Sequence, residues 1–367
     1  MPAPDLAQST VAPSRADGGL RAALLLFACA ALVALPVASV FASFLQAEAS
    51  WATLSHLATT VIPRAALETF ALVLLVTIGV AILGTTSAWL VAALEFPGRR
   101  FFEWAMLLPL AMPAYIVAYA YTDFLQYAGP LQSALRAAFG WQRGDYWFPE
   151  IRSLPGAACV FVFVLYPYVY LLARTAFLAR TASMIDAARS LGLSPLSTWL
   201  RVNLPLARPA VAAGSLLALM ETIADYGAAS YFGLQTFTTS IYRAWFSLGD
   251  RLAASQLSAV MLLVVVVVMA LEERARGRAR FFAAPNAARP APRAQLAGWR
   301  KWLAVAGCCV PIALGFVVPL AILLSLAVPA WDTMPWERYA GWVANSVTAA
   351  AAAAAVTLAL VLALAYA

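Results

Sequence analysis

Two carboxylates stand inside an apolar stretch of the sequence, in the letters LMETIADYG. Glu221 and Asp225 are four residues apart, so a continuous helix would place them on one face. A carboxylate in such surroundings is costly and usually faces a cavity or a partner. Hard metal cations prefer oxygen ligands, and Tyr226 offers a third oxygen beside the pair. The three residues therefore predict a polar site on a pathway through the molecule.

The chemistry of this site is open between three interpretations. The carboxylates could contact a metal cation in transit, line a path without binding metal, or set helix packing by pairing with Arg, Ser or Thr on neighbouring helices. Tight ligation would hinder the release of an ion, so a transient electrostatic contact is easier to defend than a tight site. No firm metal site is predicted. The sole histidine, His56, has no evident nucleophile or metal set around it, so an enzyme is not expected.

The composition indicates which elements must carry these residues. Of 367 residues, 63% are hydrophobic and 11% are charged, and the mean hydropathy is +0.82. This excludes a soluble globular domain, because no core could hide so much apolar surface. Apolar runs near the roughly 20 residues that cross a bilayer predict eight spans, at about 21–46, 67–94, 101–123, 154–178, 207–232, 253–271, 301–328 and 344–367. We expect an all-α, polytopic transmembrane helical bundle whose first span is not a cleaved signal peptide.

Lysine and arginine are distributed unevenly between alternate loops. Counted from the N-terminal tail, one set of loops holds 17 of the 24 basic residues and the other holds 7. The positive-inside rule then predicts a cytoplasmic N-terminus. The net charge of +7 is a topology signal, and no nucleic-acid partner is expected. The four cysteines all lie in apolar runs, so neither disulfides nor a zinc site is expected.

A polar break interrupts the apolar runs at residues 185–205, with the sequence IDAARSLGLSPLSTWLRVNLP. Ser183 is predicted to cap a short helix that has Asp186 at its third position. The apolar residues of that helix would share one face, namely Met184, Ala187, Ala188 and Leu191.

A second short helix is predicted directly after the first. Gly192 ends the first helix, and Ser194-Pro195 begins the next with a cap and a proline in its first turn. Its apolar stripe would be Leu196, Trp199 and Leu200. The residues alone leave two alternatives open, a helix-turn-helix that enters a groove on a partner and a helix pair that lies on the membrane surface.

The spacing in this segment resembles the EAA signature of ABC importer permeases, which reads EAA, three residues, Gly, nine residues, Ile, one residue, Leu-Pro. The matching positions are Asp186, Ala187, Ala188, Gly192, Val202, Leu204 and Pro205. The departures are Asp for Glu and Val for Ile. The resemblance implies a type I ABC importer permease fold, with the segment as the coupling helix that docks into an ABC ATP-binding subunit.

ATP hydrolysis must then be performed by a separate subunit. The chain has no G-x-x-x-x-G-K-[ST] loop, and its only lysine, Lys301, lies in the sequence WRKW. We therefore expect no cofactor on this chain and ATP on the partner subunit.

The stretches 219–250 and 96–126 look like the corresponding regions of ferric-iron importer permeases of Gram-negative bacteria. The resemblance implies a multi-pass permease of the bacterial inner membrane, two permease units and a periplasmic substrate-binding protein that delivers the ion. The same architecture for thiamine, polyamine, sulfate or phosphonate is an alternative. A different class would be a secondary transporter driven by protons through Glu221 and Asp225.

The outer loop at 234–252 carries aromatic and basic residues, among them Tyr242, Arg243, Trp245 and Arg251. Such groups suit a partner surface, and Tyr242, Arg243 and Arg251 are predicted to dock the binding protein. An aromatic belt at the membrane interface is the alternative.

The chain organisation follows from these elements. We expect a cytoplasmic tail at 1–20, a first permease unit with six spans at 21–271, a cytoplasmic linker at 272–300 and the start of a second unit at 301–367. The first unit contains the EAA loop at 183–205. Glu68-Thr69 through Ala88-Trp89 match Asn345-Ser346 through Ala365-Tyr366 in pattern at an offset of 277. This offset predicts a C-terminally truncated piece of a two-unit protein of about 500–570 residues. The arginine-rich linker is expected to be solvated, with contact to anionic lipid as the alternative.

Overall fold

The chain folds almost entirely into helices in a computed structural model, which describes residues 15–45, 47–142, 144–276 and 291–366. The tail at 1–14 and the middle of the predicted linker, 277–290, lie outside the described residues. The helices are α1 (Arg15–Ala42), α2 (Ala47–Thr60), α3 (Ile62–Ala93), α4 (Arg99–Ala105), α5 (Ala114–Leu125), α6 (Pro130–Phe139), α7 (Leu154–Leu178), α8 (Ala182–Ser190), α9 (Pro195–Thr198), α10 (Leu204–Ala224), α11 (Gly227–Tyr231), α12 (Phe237–Tyr242), α13 (Arg251–Arg276), α14 (Trp299–Ile312), α15 (Val318–Ala330) and α16 (Trp336–Tyr366).

The predicted all-α polytopic class is confirmed. Seven helical segments among the described residues are long and apolar enough to cross a membrane, and a bent pair of helices brings the number to eight. The seven segments are Leu26–Leu45, Ile62–Ala93, Leu154–Leu178, Trp199–Ala224, Arg251–Ala270, Trp299–Thr333 and Trp336–Leu362.

The predicted span at 101–123 is wrong as a single helix. Arg99–Ala111 and Ala114–Phe139 are bent by 85° at the break between them. Met112 there is extended (φ −109°, ψ 121°) because the ring of Pro113 disfavours helical geometry in the preceding residue. Helix α4 ends at Ala105, well before the break, and two buried tyrosines of α7 bond carbonyls at this helix end. Tyr166 donates to the Met106 carbonyl at 3.0 Å, and Tyr170 donates to the Glu103 carbonyl at 2.9 Å.

Three helices form the centre of the bundle, with α7 packed against both α3 and α10. Two glycines permit this close approach. A Cβ atom at Gly84 of α3 would lie 2.6 Å from Val169 Cβ, and one at Gly214 of α10 would lie 2.6 Å from Val169 Cα. Small residues let helix backbones meet in a membrane, where no hydrophobic force drives helices together. The α7 span is the most buried of the candidate spans as a result.

The predicted span at 207–232 ends earlier than expected. Helix α10 stops at Ala224, Asp225 is extended (φ −70°, ψ 125°), and the short α11 follows. The next loop is tied to the start of α3 through two side chains. Gln235 N donates to Glu68 Oε2 at 2.5 Å, and Phe237 N donates to Thr69 Oγ1 at 3.1 Å. These bonds fix the loop that follows α11 against α3.

A small parallel sheet closes the other end of the bundle. Strand β1 (Leu94–Glu95) pairs with β2 (Ala294–Gln295), with Leu94 opposite Ala294. Strand β2 lies in the stretch predicted as linker, and α13 extends into that stretch as far as Arg276. We call this end, where α3 and α7 finish and α10 begins, the arginine-rich end, since it carries Arg99, Arg174, Arg180, Arg189 and Arg293.

The contacts divide the chain into two compact units. One unit combines Met1–Leu45 with Ala330–Ala367, and within it α1 contacts α16. The other unit is Gln46–Pro329, which contains the three central helices, the sheet and the polar break at 185–205.

Gly214→Ala should lower the free energy of unfolding by about 1–3 kcal/mol, because the new methyl group meets the α7 backbone. A Cβ atom at Gly341 of α16 would have no neighbouring atom within 4 Å, so Gly341→Ala should stabilise the protein through helix propensity by about 1 kcal/mol. Thermal unfolding of both variants in detergent measures the difference. Equal effects at the two glycines would contradict the close-packing role of Gly214.

Candidate functional site

The polar break at 185–205 forms a sharp helix-turn-helix. Helix α8 ends at Ser190, and Gly192 adopts a φ of +73°. Gly192 N donates to the Arg189 carbonyl at 2.9 Å, and Leu193 N donates to the Ala188 carbonyl at 3.1 Å. This pair of bonds is a Schellman motif, which needs the left-handed residue that glycine supplies. The predicted turn at Gly192 is confirmed.

Of the two predicted helix caps, the one at the start of α9 is confirmed and the one at the start of α8 is wrong. Ser194 Oγ accepts a bond from Ser197 N at 3.2 Å at the start of α9, as predicted. The predicted cap at Ser183 is wrong, because α8 begins at Ala182 with Thr181 in the capping position. Ser183 Oγ instead lies 3.0 Å from Thr181 Oγ1.

Helix α8 exposes an apolar row of three residues, Met184, Ala187 and Leu191. Leu191 is 79% exposed at the end of this helix. The predicted common face of Ala187 and Ala188 is wrong, because Ala188 is only 3% exposed and packs toward the bundle. Asp186 lies on the exposed side, and its Oδ1 is 3.9 Å from Arg189 Nη1. One face of α8 thus packs against the bundle, and the apolar row on the opposite face is exposed and can contact a partner.

A wide helical turn joins the segment to α10. Residues Trp199–Asn203 form a π-helix, with Leu204 N bonded to the Trp199 carbonyl five residues earlier. Pro205 explains the geometry, since its ring lacks an N–H and crowds the carbonyl four residues back. Val202, Leu204 and Pro205 are half-buried in this turn. The helix-turn-helix therefore continues directly into a membrane-spanning helix.

Trp89, near the end of α3, joins the segment to the bundle. Its ring centroid lies 5.3 Å from that of Phe177 and 6.3 Å from that of Trp199, both in edge-to-face contact. The Arg180 guanidinium lies 4.6 Å from the same ring. No pattern in the sequence indicates this role of Trp89, because only the folded chain brings α3, α7 and the start of α10 together.

An ionic network lies at the same end. Arg99 is buried, and its guanidinium bonds Glu95 at 3.2 Å and Glu103 at 3.2 Å. Glu103 also pairs with Arg174 of α7. The spacing of four residues between Glu95, Arg99 and Glu103 is a visible signal for part of this network, whereas the contact with Arg174 depends on the fold.

At the opposite end, the predicted common face of Glu221 and Asp225 is wrong. Glu221 is exposed on the last turn of α10, but the helix ends before Asp225. The Asp225 carboxylate accepts bonds from Ala228 N at 2.8 Å and Ala229 N at 3.2 Å, so it caps α11. Burial raises the pKa of Asp225, the Glu221 charge raises it further, and the two backbone N–H groups act against the rise.

A cavity of about 860 Å³ lies at this end, and we call it the aromatic cavity. Tyr226 and Tyr242 line it with rings stacked 3.9 Å apart, and Arg243 and His56 line it as well. Hydroxyl groups of Ser and Thr complete the wall, including Thr60, Ser230, Thr239 and Ser240. The structure thus joins Tyr226, predicted on the pathway, with Tyr242 and Arg243, predicted for docking.

Three of the predicted residues do not line the aromatic cavity, namely Glu221, Asp225 and Arg251. The Arg251 guanidinium instead lies 5.7 Å from the Trp245 ring.

Across the described ranges, no group of three or more His, Cys, Asp and Glu side chains is arranged to hold a metal ion. The four cysteines are unpaired thiols.

Comparison with known proteins gives a family for more than half of the chain. Residues 80–278 match the family model described as binding-protein-dependent transport system inner membrane component. The chain is 28% identical over 211 residues to the Fe(3+)-transport system permease protein FbpB 2 of Haemophilus influenzae, covering 58% of this chain and 37% of that protein. It is 30% identical over 150 residues to a probable sulfate transport system permease protein of Nephroselmis olivacea, covering 40% and 49% respectively. The chain therefore spans less than half the length of these two relatives.

A solved structure shares the fold. It is a bacterial alginate ABC transporter in complex with an alginate pentasaccharide-bound periplasmic protein. The match has a TM-score of 0.58 and 17% identity, and it covers 72% of this chain and 95% of that one.

The pH dependence of stability should report on Asp225. Because its pKa is raised in the folded state, its contribution to stability is present at low pH and is lost as the pH rises above the ordinary value of an aspartate. Asp225→Asn keeps an oxygen acceptor for the cap but does not ionise, so it should lose less stability than the native protein as the pH rises above the ordinary aspartate value.

The matched variant Asp225→Ala removes the cap without introducing a titrating group, so it should be less stable than Asp225→Asn by about 1 kcal/mol at every pH. Thermal unfolding in detergent across the pH range measures both effects. An Asn variant with the native pH profile would show that Asp225 titrates normally.

Proposed function

Because the chain belongs to the family of inner-membrane components of binding-protein-dependent transport systems, we propose that it is the permease of an ATP-driven importer. The observation that carries the proposal is the helix-turn-helix at the arginine-rich end, which lies within the matched residues and continues into a spanning helix. An exposed element that is rigidly joined to a membrane helix can transmit force from a partner subunit.

The exposed row of α8 would enter a groove on an ABC ATP-binding subunit. Met184, Ala187 and Leu191 supply apolar contact, and Asp186 supplies a charge on the same exposed side. Gly192 keeps the turn tight, while Val202, Leu204 and Pro205 form the wide turn that passes the motion to α10. ATP binds on the partner subunit in this scheme, and this chain holds no nucleotide.

Transport follows from two states of the bundle. Closure of the ATP-binding subunits displaces the helix-turn-helix, and α10 moves with it against α3 and α7, so that the path opens to one side and then the other. A periplasmic binding protein and ATP bias the same equilibrium, so the effect of each on the affinity for the other is reciprocal. A second permease unit is needed to complete the path.

The orientation in the membrane follows from the distribution of charge. The arginine-rich end would face the cytoplasm of a bacterial cell, and the N-terminus would lie on the same side of the inner membrane. The aromatic cavity then opens toward the periplasm. There, the side chains of Tyr242 and Arg243 are both exposed, which suits docking of the binding protein. Arg251 adds a neighbouring charge.

Ferric iron is our first candidate substrate. The Haemophilus relative named for Fe(3+) transport aligns with 58% of this chain, and Glu221 offers an exposed carboxylate on α10 for transient contact with a cation. A sulfate-like oxyanion is the second candidate. The aromatic cavity supports it, because Arg243 and a set of hydroxyl groups are suited to an anion.

Gly192→Val should uncouple ATP hydrolysis from import. A branched side chain at φ +73° is strained by about 1–2 kcal/mol, so the turn would open and the exposed row would lose its position. ATPase activity of the purified complex and cellular uptake of radiolabelled ferric iron and sulfate are the measurements. We expect uptake to fall by more than half while ATPase subunits still assemble with the permease.

Gly140→Val is the matched control, since Gly140 ends α6 with a φ of +69° and also has open space around it. This variant carries similar strain far from the helix-turn-helix and should transport normally. Normal import by Gly192→Val with normal assembly would remove the basis of the coupling proposal. Uptake of sulfate without iron would replace the first candidate substrate with the second.

Arg243→Glu should weaken stimulation of ATPase activity by the binding protein, on the order of tenfold at low salt, because the reversed charge opposes docking. The difference should shrink as the salt concentration rises. Arg338→Glu, at another exposed arginine, is the control. Unchanged stimulation in Arg243→Glu would rule out docking at this loop.

A further inference from the structure

A pocket at the arginine-rich end has no part in the importer scheme. It has a volume of about 410 Å³ and lies between the end of α7 and the stretch 291–295. Two arginines line it, Arg180 directly after α7 and Arg293 in that stretch. We call it the arginine pocket.

Arg180 is held in place and is almost fully buried. Its exposed fraction is 6%, its Nε donates to the Phe177 carbonyl at 2.6 Å, and its guanidinium stacks on Trp89. No salt bridge to it is formed by any carboxylate within the described part of the chain. Burial and the nearby Arg293 charge lower the pKa of Arg180. A buried cation without a counter-charge is unfavourable, and a bound anion relieves it.

The charges around the pocket leave a positive excess. Glu95 is the acidic residue that lines it, but its carboxylate bonds Arg99 at 3.2 Å. Arg99 therefore matches the charge of Glu95, and Arg180 and Arg293 remain unmatched. Guanidinium groups bind phosphate-type oxygens with paired N–H donors, which makes a pocket lined by two arginines a fitting site for such a group.

The backbone holds Arg293 near Arg180. Ala291 N donates to the Arg180 carbonyl at 3.0 Å, and Leu296 N donates to the Glu95 carbonyl at 3.3 Å. Strand β2, which begins at Ala294, pairs with β1 between these bonds. Arg293 thus lies in a segment, residues 291–296, that is hydrogen-bonded to the bundle at both of its ends. We call this segment the strap.

A second cavity of about 300 Å³ connects this site with the helix-turn-helix. It shares Arg180 and Pro292 with the arginine pocket and is also lined by Arg189 of α8 and by Asn203. Asn203 is 2% exposed, and its Oδ1 has no hydrogen-bond partner. The second cavity therefore lies between the strap and the residues of the helix-turn-helix.

We propose that the arginine pocket binds a phosphate-type oxyanion between Arg180 and Arg293 and thereby fastens the strap at 291–296 beside the helix-turn-helix. The anion is the phosphate of an acidic phospholipid headgroup or a free phosphate ion, and both offer the same oxygens to the arginines. The site is independent of the imported substrate, so its test does not depend on transport.

The test uses the permease assembled with its partner subunits in nanodiscs, in native form and as Arg293→Gln. Arg293 is exposed, so its loss should not prevent folding. One arm titrates inorganic phosphate into phosphatidylcholine nanodiscs at constant ionic strength and follows the melting temperature. The other arm counts phosphatidylglycerol molecules retained per complex by native mass spectrometry. Arg300→Gln, at an exposed arginine that does not line the pocket, is the control.

We expect Arg293→Gln to weaken binding about tenfold or more, as the loss of a charge-assisted bond implies, while Arg300→Gln binds as the native protein does. A loss confined to phosphatidylglycerol identifies the lipid as the source, and a loss confined to inorganic phosphate identifies the free ion. Arg180→Gln should reproduce the loss where it folds. Equal binding by the native protein, Arg293→Gln and Arg300→Gln in both arms would overturn the proposal.

Discussion

The contact of α3 and α10 with Val169 of α7 is the constraint on which the rest of the structure depends. Gly84 and Gly214 remove the side chains that would hold the backbones apart. Inside a bilayer the hydrophobic effect does not hold helices together. Close packing at small residues provides the attraction between them instead. Once the three helices meet in this way, the end of α3, the end of α7 and the start of α10 are fixed beside one another. The helix-turn-helix is built on those three ends.

The two ends of the bundle satisfy their polar groups by different means. At the arginine-rich end, Arg99 and Glu103 form a partly buried ion-pair network, and Trp89 stacks on a further arginine. At the opposite end, neutral and carboxylate caps dominate, with Asp225 on α11 and Thr236 on α12. The first arrangement concentrates positive charge in a region with little carboxylate to match it. The second leaves hydroxyl groups and aromatic rings around an open cavity.

Much of the fold could be predicted from the sequence, because span length and hydrophobicity are local properties. The eight apolar runs and the left-handed turn at Gly192 belong to this class. Pro109 and Pro113 are a sequence signal for the bend at Met112. The long apolar run around them nevertheless predicts one continuous span. The end of α10 was hidden in the same way, since Asp225 fits a helix by spacing and a cap by chemistry. Only the tertiary environment decides between those roles.

The candidate site was predictable in its sequence position and much less so in its surroundings. Fixed spacing located the helix-turn-helix, whereas the direction in which Ala188 points depends on contacts with other helices. The aromatic cavity combines Tyr226 with Tyr242, which belong to separate loops around α11 and α12. The pairing of Glu103 with Arg174 joins residues from different helices. No local pattern encodes such combinations, because each requires the packing of the central helices first.

The π-turn at Trp199–Asn203 determines the direction in which α8 points relative to α10. An α-helix advances about 100° per residue, and a π-turn accommodates one residue more than a regular turn does. The turn that Pro205 imposes therefore sets the angle at which α8 projects around the axis of α10. One inserted or deleted residue at this position would rotate the exposed row to another side of the helix axis while leaving α10, from Leu204 onward, unchanged in sequence. The number of residues in this one helical turn thus determines the direction in which the exposed row of α8 faces.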